Sequence, residues 1–152
     1  MISWMSVAMD EALDGMKKNE GGPFGAAIVR DGKLIASAHN RVLASNDPTA
    51  HAEINAIRKA SEMLSTHNLS DCVLYTTCYP CPMCLGAILW AHIPKVYYAS
   101  SMEDAARGGF DDQAFYNAFN NPHNAISLAP FESEKGRELF DRWLEKSDRT
   151  LY

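Results

Sequence analysis

Two short segments of this chain, thirty residues apart, carry side chains that together could bind a metal ion. His51-Ala52-Glu53 supplies an imidazole and a carboxylate, and Pro80-Cys81-Pro82-Met83-Cys84 supplies two thiols. Imidazole and thiolate groups are ligands that Zn²⁺ prefers, and they bind it tetrahedrally. A chain that binds metal through both segments must bring them to one point, so this spacing constrains the fold more than any other feature.

The number of ligands indicates the kind of zinc site. One histidine and two cysteines leave the fourth tetrahedral position open for water, as in catalytic rather than structural sites. We therefore predict His51, Cys81 and Cys84 as ligands of a catalytic Zn²⁺. The other histidines lack such neighbours and are predicted to be structural or solvent-facing: His39, His67, His92 and His123.

The spacing within each segment predicts its local structure. Cys81 and Cys84, at i and i+3, share a helix face, whereas His51 and Glu53, at i and i+2, do not. The second pair can converge only in or near the first, less regular turn of a helix. A helix N-terminus also lowers the pKa of a nearby thiol, which favours the thiolate that zinc requires. Both segments are therefore predicted at helix starts.

Glu53 is predicted to carry protons beside the metal. Zinc with two thiolates and a neutral imidazole has no formal net charge, so it acidifies its water less than an all-histidine site would. A nearby base is then needed, and Glu53 is placed to provide it. Positioned acid–base catalysis of this kind contributes about 10²–10⁴-fold.

Hydrophobic periodicity and turn residues divide the chain into alternating helices and strands. The predicted helices span residues 3–18, 48–64 (with Asp47 as N-cap), 84–91, 111–119 and 131–146. The predicted strands span residues 24–29, 33–39, 72–77, 96–99 and, at an edge, 125–128. Asp31-Gly32 between the first two strands is typical of a two-residue hairpin turn.

This order of elements predicts the α/β fold class. A hairpin followed by strand–helix alternation favours a three-layer α/β/α arrangement around a five-stranded mixed sheet. The length of 152 residues suits one domain, residues 1–152.

Composition limits the partners and the location. The net charge is −5 and no basic run exceeds Lys17-Lys18, so a nucleic-acid partner is not expected. No apolar stretch approaches the roughly 20 residues of a membrane span, and the N-terminus lacks the pattern of a signal peptide. A cytoplasmic location without a membrane partner is therefore expected.

The chain has four cysteines: Cys72, Cys78, Cys81 and Cys84. In a cytoplasmic chain such a cluster favours metal binding or catalysis over disulfides. Cys72 is predicted to be a buried strand residue. Cys78 is interpreted either as a spectator or as a group that supports the ligands.

Three segments resemble a known family. The chain is similar to the cytidine deaminase superfamily and, within it, to the bacterial guanine deaminases over nearly its whole length. The resemblance is carried by residues 21–26, 45–53 and 81–88, with the more selective likeness in residues 105–112 and in the terminal aromatic residue, Tyr152. The H-x-E and P-C-x-x-C signature is that of zinc-dependent nucleobase deaminases. It is specific for the superfamily but does not identify the base.

The resemblance implies a cytidine deaminase-like fold and the reaction of guanine with water to give xanthine and ammonia. It implies that zinc-bound water attacks the amino-bearing ring carbon, with Glu53 passing its proton to the adjacent ring nitrogen. Asp112 is implied as a second proton shuttle near the leaving amino group. The implied partners are a small purine base and a second copy of the chain, in a homodimer that exchanges C-terminal segments. The implied substrate-binding residues are Asn40, Phe24, Ala52, Trp90 and Tyr152, the last closing the partner's site.

Each implied role has a structural alternative. Asp112 suits a helix start, where a carboxylate complements the dipole, and Asn40 suits a turn after a strand. Phe24 and Trp90 are also consistent with the core, and Tyr152 with a frayed terminus.

Two other functions remain open at this point. The first is a tRNA adenosine deaminase or another nucleobase or nucleoside deaminase, which would share the ligands and the glutamate. The second is a structural zinc module for protein binding, which would need a fourth ligand. Cys78 is the nearby candidate for that ligand.

Overall fold

The computed structural model describes residues 3–152, which form a mixed α/β fold. The helices are α1 (Trp4–Lys17), α2 (Val42–Ser45), α3 (Ala52–Leu64), α4 (Pro82–Trp90), α5 (Met102–Arg107), α6 (Asp112–Asn120) and α7 (Ser133–Glu145), with a short 3₁₀ helix at Pro122–Asn124. The strands are β1 (Gly25–Arg30), β2 (Lys33–His39), β3 (Val73–Cys78) and β4 (Lys95–Ser100). Within these residues, no helix has the length and apolar character needed to cross a membrane.

The four strands form one mixed sheet in the order β2-β1-β3-β4. β1 pairs antiparallel with both β2 and β3, while β3 and β4 are parallel. Asp31 and Gly32 both have positive φ, 50° and 69°, which is the geometry of a tight hairpin turn. The predicted hairpin is therefore confirmed.

The expected fifth strand is wrong, because the described residues contain four strands and residues 125–128 form none. The amides of Ala125 and Ile126 both donate to the carbonyl of Pro122, 3.0 and 2.9 Å away. These turn hydrogen bonds use two of the donors that an edge strand would direct to a neighbour. A short apolar run does not reveal this competition.

Helices cover both faces of the sheet. Gly25 of β1 lies so close to α1 that a Cβ atom there would stand 1.9 Å from the carbonyl oxygen of Ala8. The neighbouring Ala26 and Ile28 point to the opposite face, because side chains alternate along a strand. There they join a core cluster with α3 and α4 that includes Ala52, Ala56, Ala60, Leu74 and Ile88. Cys72 belongs to this cluster and is 1% exposed, so its predicted burial is confirmed, but it lies just before β3 rather than in the strand.

The second long helix starts later than predicted. Its N-cap is His51 rather than Asp47. The Asp47 carboxylate instead accepts hydrogen bonds from the amide and hydroxyl of Thr49, at 2.8 and 2.7 Å. Asp commonly bonds two residues ahead in this way to form a turn, and the sequence does not distinguish that turn from a cap.

The next metal-bearing helix starts earlier than the predicted residue 84. Pro82 occupies the first helical position of α4, which suits its fixed φ, and Cys81 is the N-cap. The short helices α2 and α5 were not predicted.

The chain divides into two compact units, residues 1–116 and residues 117–152. The first contains the whole sheet and helices α1 to α5. The second contains α7, whose exposed apolar side chains include Leu139, Phe140 and Leu144. The expectation of a single domain over residues 1–152 stays a prediction.

Candidate metal centre and cavity

The candidate metal-binding side chains come from two helix starts. His51 caps α3 and Cys81 caps α4, both with extended backbone conformations. Glu53 and Cys84 then fall in the first turns of the same helices. The sequence-based expectation that both segments lie at helix starts is therefore confirmed, and this placement allows the i, i+2 pair to face one site.

The spacing between the three candidate ligands fits zinc. His51 Nδ1 lies 3.6 Å from Cys81 Sγ and 3.5 Å from Cys84 Sγ. All three ligand atoms lie within 4.8 Å of one another. A tetrahedral zinc ion with ordinary Zn–S and Zn–N bond lengths places sulfur and nitrogen about 3.6 Å apart. The side chains are thus already arranged as one histidine and two cysteines would be around Zn²⁺.

Hydrogen bonds within this cluster prepare one thiol for metal binding. The hydrogen bond from Cys84 and a further one from His51 lower the pKa of Cys81 to about 4. The backbone amide of Cys84 also donates to Cys81 Sγ across 3.5 Å. The same cluster raises the pKa of Cys84, because its thiol donates to Cys81, and raises the pKa of His51 beside Cys81.

Glu53 is a buried carboxylate beside the two sulfurs. Its side chain is 6% exposed, and Oε1 accepts a 2.9 Å hydrogen bond from the hydroxyl of Thr76 on β3. Oε2 lies 3.4 Å from Cys84 Sγ. Burial raises the pKa of Glu53, although the bond from Thr76 partly opposes that shift. A carboxyl with a raised pKa can both accept and donate a proton near neutral pH.

A cavity of about 330 Å³ opens beside the cluster. Its volume lies at the lower end of the range for small-molecule sites, about 300–1,000 Å³. The sequence-predicted residues on its walls are Phe24, Asn40, His51, Glu53, Cys81 and Asp112. Sequence reasoning missed other wall residues: Val42, Leu43, Pro48, Tyr79 and Phe110. These missed residues lie in the short helix α2 or in the loops after α2, β3 and α5, where no periodic pattern indicates which side chain turns inward.

Asn40 is held by the backbone in a defined orientation. Its Oδ1 accepts a hydrogen bond from the backbone amide of Val42 at 3.0 Å, and the backbone amide of Asn40 donates to the Phe24 carbonyl at 3.0 Å. Gly21 packs against it so closely that a Cβ at Gly21 would stand 2.2 Å from Asn40 Oδ1. With Oδ1 engaged, Asn40 has its NH₂ group available as a donor to a ligand in the cavity.

Asp112 lies on the cavity wall at the first position of α6. Burial raises the pKa of its carboxyl, and the nearby Cys81 thiolate adds to the shift. Phe110, two residues earlier, packs edge-to-face on Phe24 with ring centroids 4.9 Å apart. Gly22 lies against both rings, so the aromatic pair forms one apolar wall.

Three predicted substrate-binding residues lie off this cavity. Ala52 is fully buried at the start of α3, between His51 and Glu53. Trp90 is 66% exposed at the end of α4. Tyr152 is 72% exposed and belongs to the unit of residues 117–152. Their roles in substrate binding stay predictions.

Cys78 lies on the cavity wall but outside the group of candidate ligands. Its thiol donates to the carbonyl of Ser101 across 3.8 Å, and burial raises its pKa to about 11. A neutral thiol with such a partner is a poor zinc ligand. In residues 3–152 the group that satisfies metal-site geometry consists of His51, Cys81 and Cys84. This count leaves a coordination position open, unlike the closed set of a structural module.

Comparison with known proteins identifies related chains. Residues 2–100 match the family model of the cytidine and deoxycytidylate deaminase zinc-binding region. Guanine deaminase of Bacillus subtilis (strain 168) is 52% identical over 152 residues, covering 99% of this chain and 97% of the relative. The tRNA-specific adenosine deaminase of Aquifex aeolicus (strain VF5) is 35% identical over 145 residues, covering 94% and 93%. The X-ray structure of Bacillus subtilis guanine deaminase superposes with a TM-score of 0.94 and 44% identity, covering 98% of this chain and 96% of that one.

Proposed function

The chain belongs to the cytidine and deoxycytidylate deaminase zinc-binding family, and from that premise we infer that it is a guanine deaminase. It converts guanine and water to xanthine and ammonia. The observation that carries this inference is the joint presence of the His51, Cys81 and Cys84 cluster, the adjacent Glu53 and the small cavity beside them. The likeness to a guanine deaminase over nearly the whole length selects the base. The resemblance expected from the sequence is confirmed.

Zinc is the cofactor of this centre, and His51, Cys81 and Cys84 hold it. When bound, Zn²⁺ lowers the pKa of a water molecule and so makes a nucleophile available near neutral pH. The donor set fits the metal because two thiolates and one imidazole already face one another at the spacing of a tetrahedral site.

Glu53 moves the proton between water and base in this proposal. Thr76 holds Oε1, which leaves Oε2, on the side of Cys84, as the oxygen that carries the proton. The carboxylate accepts a proton from the attacking water and donates it to the ring nitrogen beside the amino-bearing carbon. Its raised pKa favours the second half of this transfer. Asp112, on the cavity wall, takes the remaining proton of the added water and passes it to the amino group, which leaves as ammonia.

The remaining walls orient the base. Guanine carries the acceptors O6, N7 and N3, and the free NH₂ group of Asn40 donates to one of them. Phe24 and Phe110 provide an apolar surface for the purine ring. A donor fixed by backbone hydrogen bonds favours a ligand that presents an acceptor at that point, because an unpaired buried donor is costly.

A second candidate function is deamination of adenosine in tRNA, since a relative with that name covers most of both chains. The cavity volume of about 330 Å³ and the net charge of −5 favour a free base over a polyanionic RNA. Ammonia release from guanine, adenine, cytosine, cytidine and a tRNA anticodon stem-loop separates the two. We expect turnover of guanine. Activity on the stem-loop with none on guanine would overturn the proposal.

The protein also works as a homodimer in this proposal, with C-terminal segments exchanged and Tyr152 closing the partner's cavity. Support comes from large apolar side chains exposed in both units, among them Leu89, Trp90, Phe140 and Leu144. A single subunit rarely leaves so many large apolar groups in water. Trp90 would then line the substrate site of the assembled dimer, whereas Ala52 would contribute to that site from its buried position between His51 and Glu53. The proposal keeps residues 1–152 as one functional domain and the location as cytoplasmic.

A further inference from the structure

Helix α6 carries Asp112 and Tyr116 on one face. The two residues are separated by four positions, which brings their side chains to the same side of a helix. Both are half-buried, whereas Asp111, Ala114 and Phe115 on the other sides are exposed. The face that directs Asp112 to the cavity therefore also directs Tyr116 inward, one turn later.

Tyr116 contacts the segment that carries the metal ligands. Its hydroxyl donates a 2.6 Å hydrogen bond to the carbonyl oxygen of Pro80, the second residue before Pro82 of α4 and the direct neighbour of Cys81. Its ring packs against Tyr79, with centroids 6.2 Å apart. The contact thus joins α6 to the two residues that precede Cys81.

The hydrogen bond suits both its acceptor, the Pro80 carbonyl, and its donor, the Tyr116 hydroxyl. Pro80 is buried, and a buried carbonyl is costly without a donor. Burial raises the pKa of Tyr116 to about 12, so its hydroxyl keeps its proton and remains a donor throughout the neutral range. The phenol therefore remains a hydrogen-bond donor to the Pro80 carbonyl at neutral pH.

We propose that Tyr116 is a positioning residue that fixes the start of α6 against the Cys81 segment and thereby holds Asp112 at the cavity. This inference rests on the proposed function, in which Asp112 supplies a proton at the departing amino group. Tyr116 lines no part of the cavity and acts through Asp112. Its hydroxyl therefore affects the rate of the chemical step and leaves binding of the base unchanged.

A double-mutant cycle in the zinc-loaded enzyme tests this route. Tyr116→Phe removes the hydroxyl and keeps the ring, so kcat for guanine should fall about 3- to 10-fold, as expected for one lost hydrogen bond. KM and zinc content should not change. In an Asp112→Asn background the same substitution should have no further effect, because coupled residues are not additive. Tyr97→Phe on β4 is the matched control and should retain wild-type kcat.

If the wild-type enzyme deaminates guanine, two results would overturn the inference. One is an unchanged kcat in Tyr116→Phe. The other is an equal loss with and without Asp112, which would mean that the tether acts through the cysteine segment instead.

Hydrogen exchange gives a readout that does not depend on the substrate. In zinc-loaded Tyr116→Phe, amides of residues 110–116 should exchange faster than in wild type, while those of α4 should not change. Unaltered exchange in residues 110–116 contradicts the inference whatever the enzyme deaminates. If wild type does not deaminate guanine, the proposed function fails, and the exchange rates still decide whether Tyr116 holds this segment.

Discussion

Glu53 has two oxygens with different partners, and this asymmetry defines its chemistry. Thr76 fixes one oxygen through a hydrogen bond from the central part of the sheet, and the other faces the metal-binding thiol of Cys84. A side chain held in this way rarely adopts unproductive orientations. Positioned acid–base catalysis requires such a fixed orientation.

Glu53→Gln tests this role directly. The amide oxygen can still accept the bond from Thr76, so we expect the fold and the zinc content to be retained. Because an amide cannot carry the proton, kcat for guanine should fall by about 10²–10⁴-fold. Steady-state kinetics and metal analysis measure both quantities. Glu62→Gln, an exposed change on the same helix, is the control. Near-normal turnover in Glu53→Gln would contradict the assignment.

Gly21 matters because it leaves room for Asn40. In Gly21→Ala, the new Cβ would stand 2.2 Å from Asn40 Oδ1 and 2.4 Å from its carbonyl oxygen, so Asn40 must move. We expect KM for guanine to rise about 5- to 10-fold, the effect of one lost hydrogen bond. Zinc content should stay unchanged. Gly136→Ala, where a Cβ meets nothing within 4 Å, is the control. An unaltered KM in Gly21→Ala would argue against base binding by Asn40.

At this scale the sequence predicted that His51, Cys81 and Cys84 come together with Glu53 beside them, because metal chemistry restricts residue type and spacing tightly. It did not predict Leu43, Pro48 or Phe110 on the cavity wall. Any apolar side chain of similar size can serve there, so no local pattern marks these positions.

At the scale of elements, His39 joins α1, the following loop and β2. Its Nδ1 lies 2.8 Å from Glu11 of α1, and its Nε2 lies 2.5 Å from Glu20 of the loop. Arg41 also donates to Glu20, and the Glu20 carbonyl accepts from two amides of α2. The prediction that His39 is structural is supported by these contacts. The network fixes the chain on both sides of Asn40.

The pH dependence of stability should reveal this network. The hydrogen bond from His39 lowers the pKa of Glu20 in the folded protein. A group with a depressed folded pKa stabilises the protein above its unfolded value, about 4.3 for Glu, and loses that contribution as the pH falls through the folded pKa. The advantage of wild type over Glu20→Gln should therefore be full at about pH 7 and should shrink below about pH 4.3.

Urea denaturation of both metal-free proteins across this range measures the difference. Titration of the thiols in the metal centre affects wild type and Glu20→Gln equally, so it cancels in the difference between their free energies of unfolding. A stability difference that does not vary with pH would show that the Glu20 charge contributes nothing to folding.

Element boundaries were harder to predict than element types. Asp47-Pro48 has the composition of a helix start, yet the Asp47 side chain closes a turn onto Thr49 and α3 begins at Ala52. Similarly, residues 125–128 have strand composition, but the amides of Ala125 and Ile126 bond back to Pro122. In both cases the outcome depends on a competing hydrogen bond that composition does not record.

At the scale of the whole molecule, residues 117–152 form a unit with a large apolar surface. Leu139, Phe140 and Leu144 of α7 are 68%, 72% and 62% exposed. Such a surface is expected to be covered in the working protein, and the proposed exchange between two subunits covers it. The number of subunits and the path of the C-terminal segment lie beyond what one chain's sequence pattern indicates, because they depend on complementarity between distant surfaces.

Removal of residues 150–152 tests the closing role of Tyr152. We expect kcat/KM for guanine to fall by about tenfold or more, because the segment that excludes water from the partner's cavity is lost. Zinc content should remain, since the proposed ligands lie in residues 51–84. Sedimentation analysis reports whether the dimer persists. If guanine turnover and dimerisation both survive the deletion, the closing role is wrong.

The origin of the ligands at two helix starts has a consequence for how this enzyme can be redesigned. His51 and Cys81 begin helices that are packed on the sheet, whereas Val42, Leu43, Pro48 and Phe110 lie in short connecting segments. Loops tolerate sequence change better than the elements they connect. Libraries confined to those four positions should therefore alter which amino-substituted heterocycle is accepted while the reactive centre remains intact.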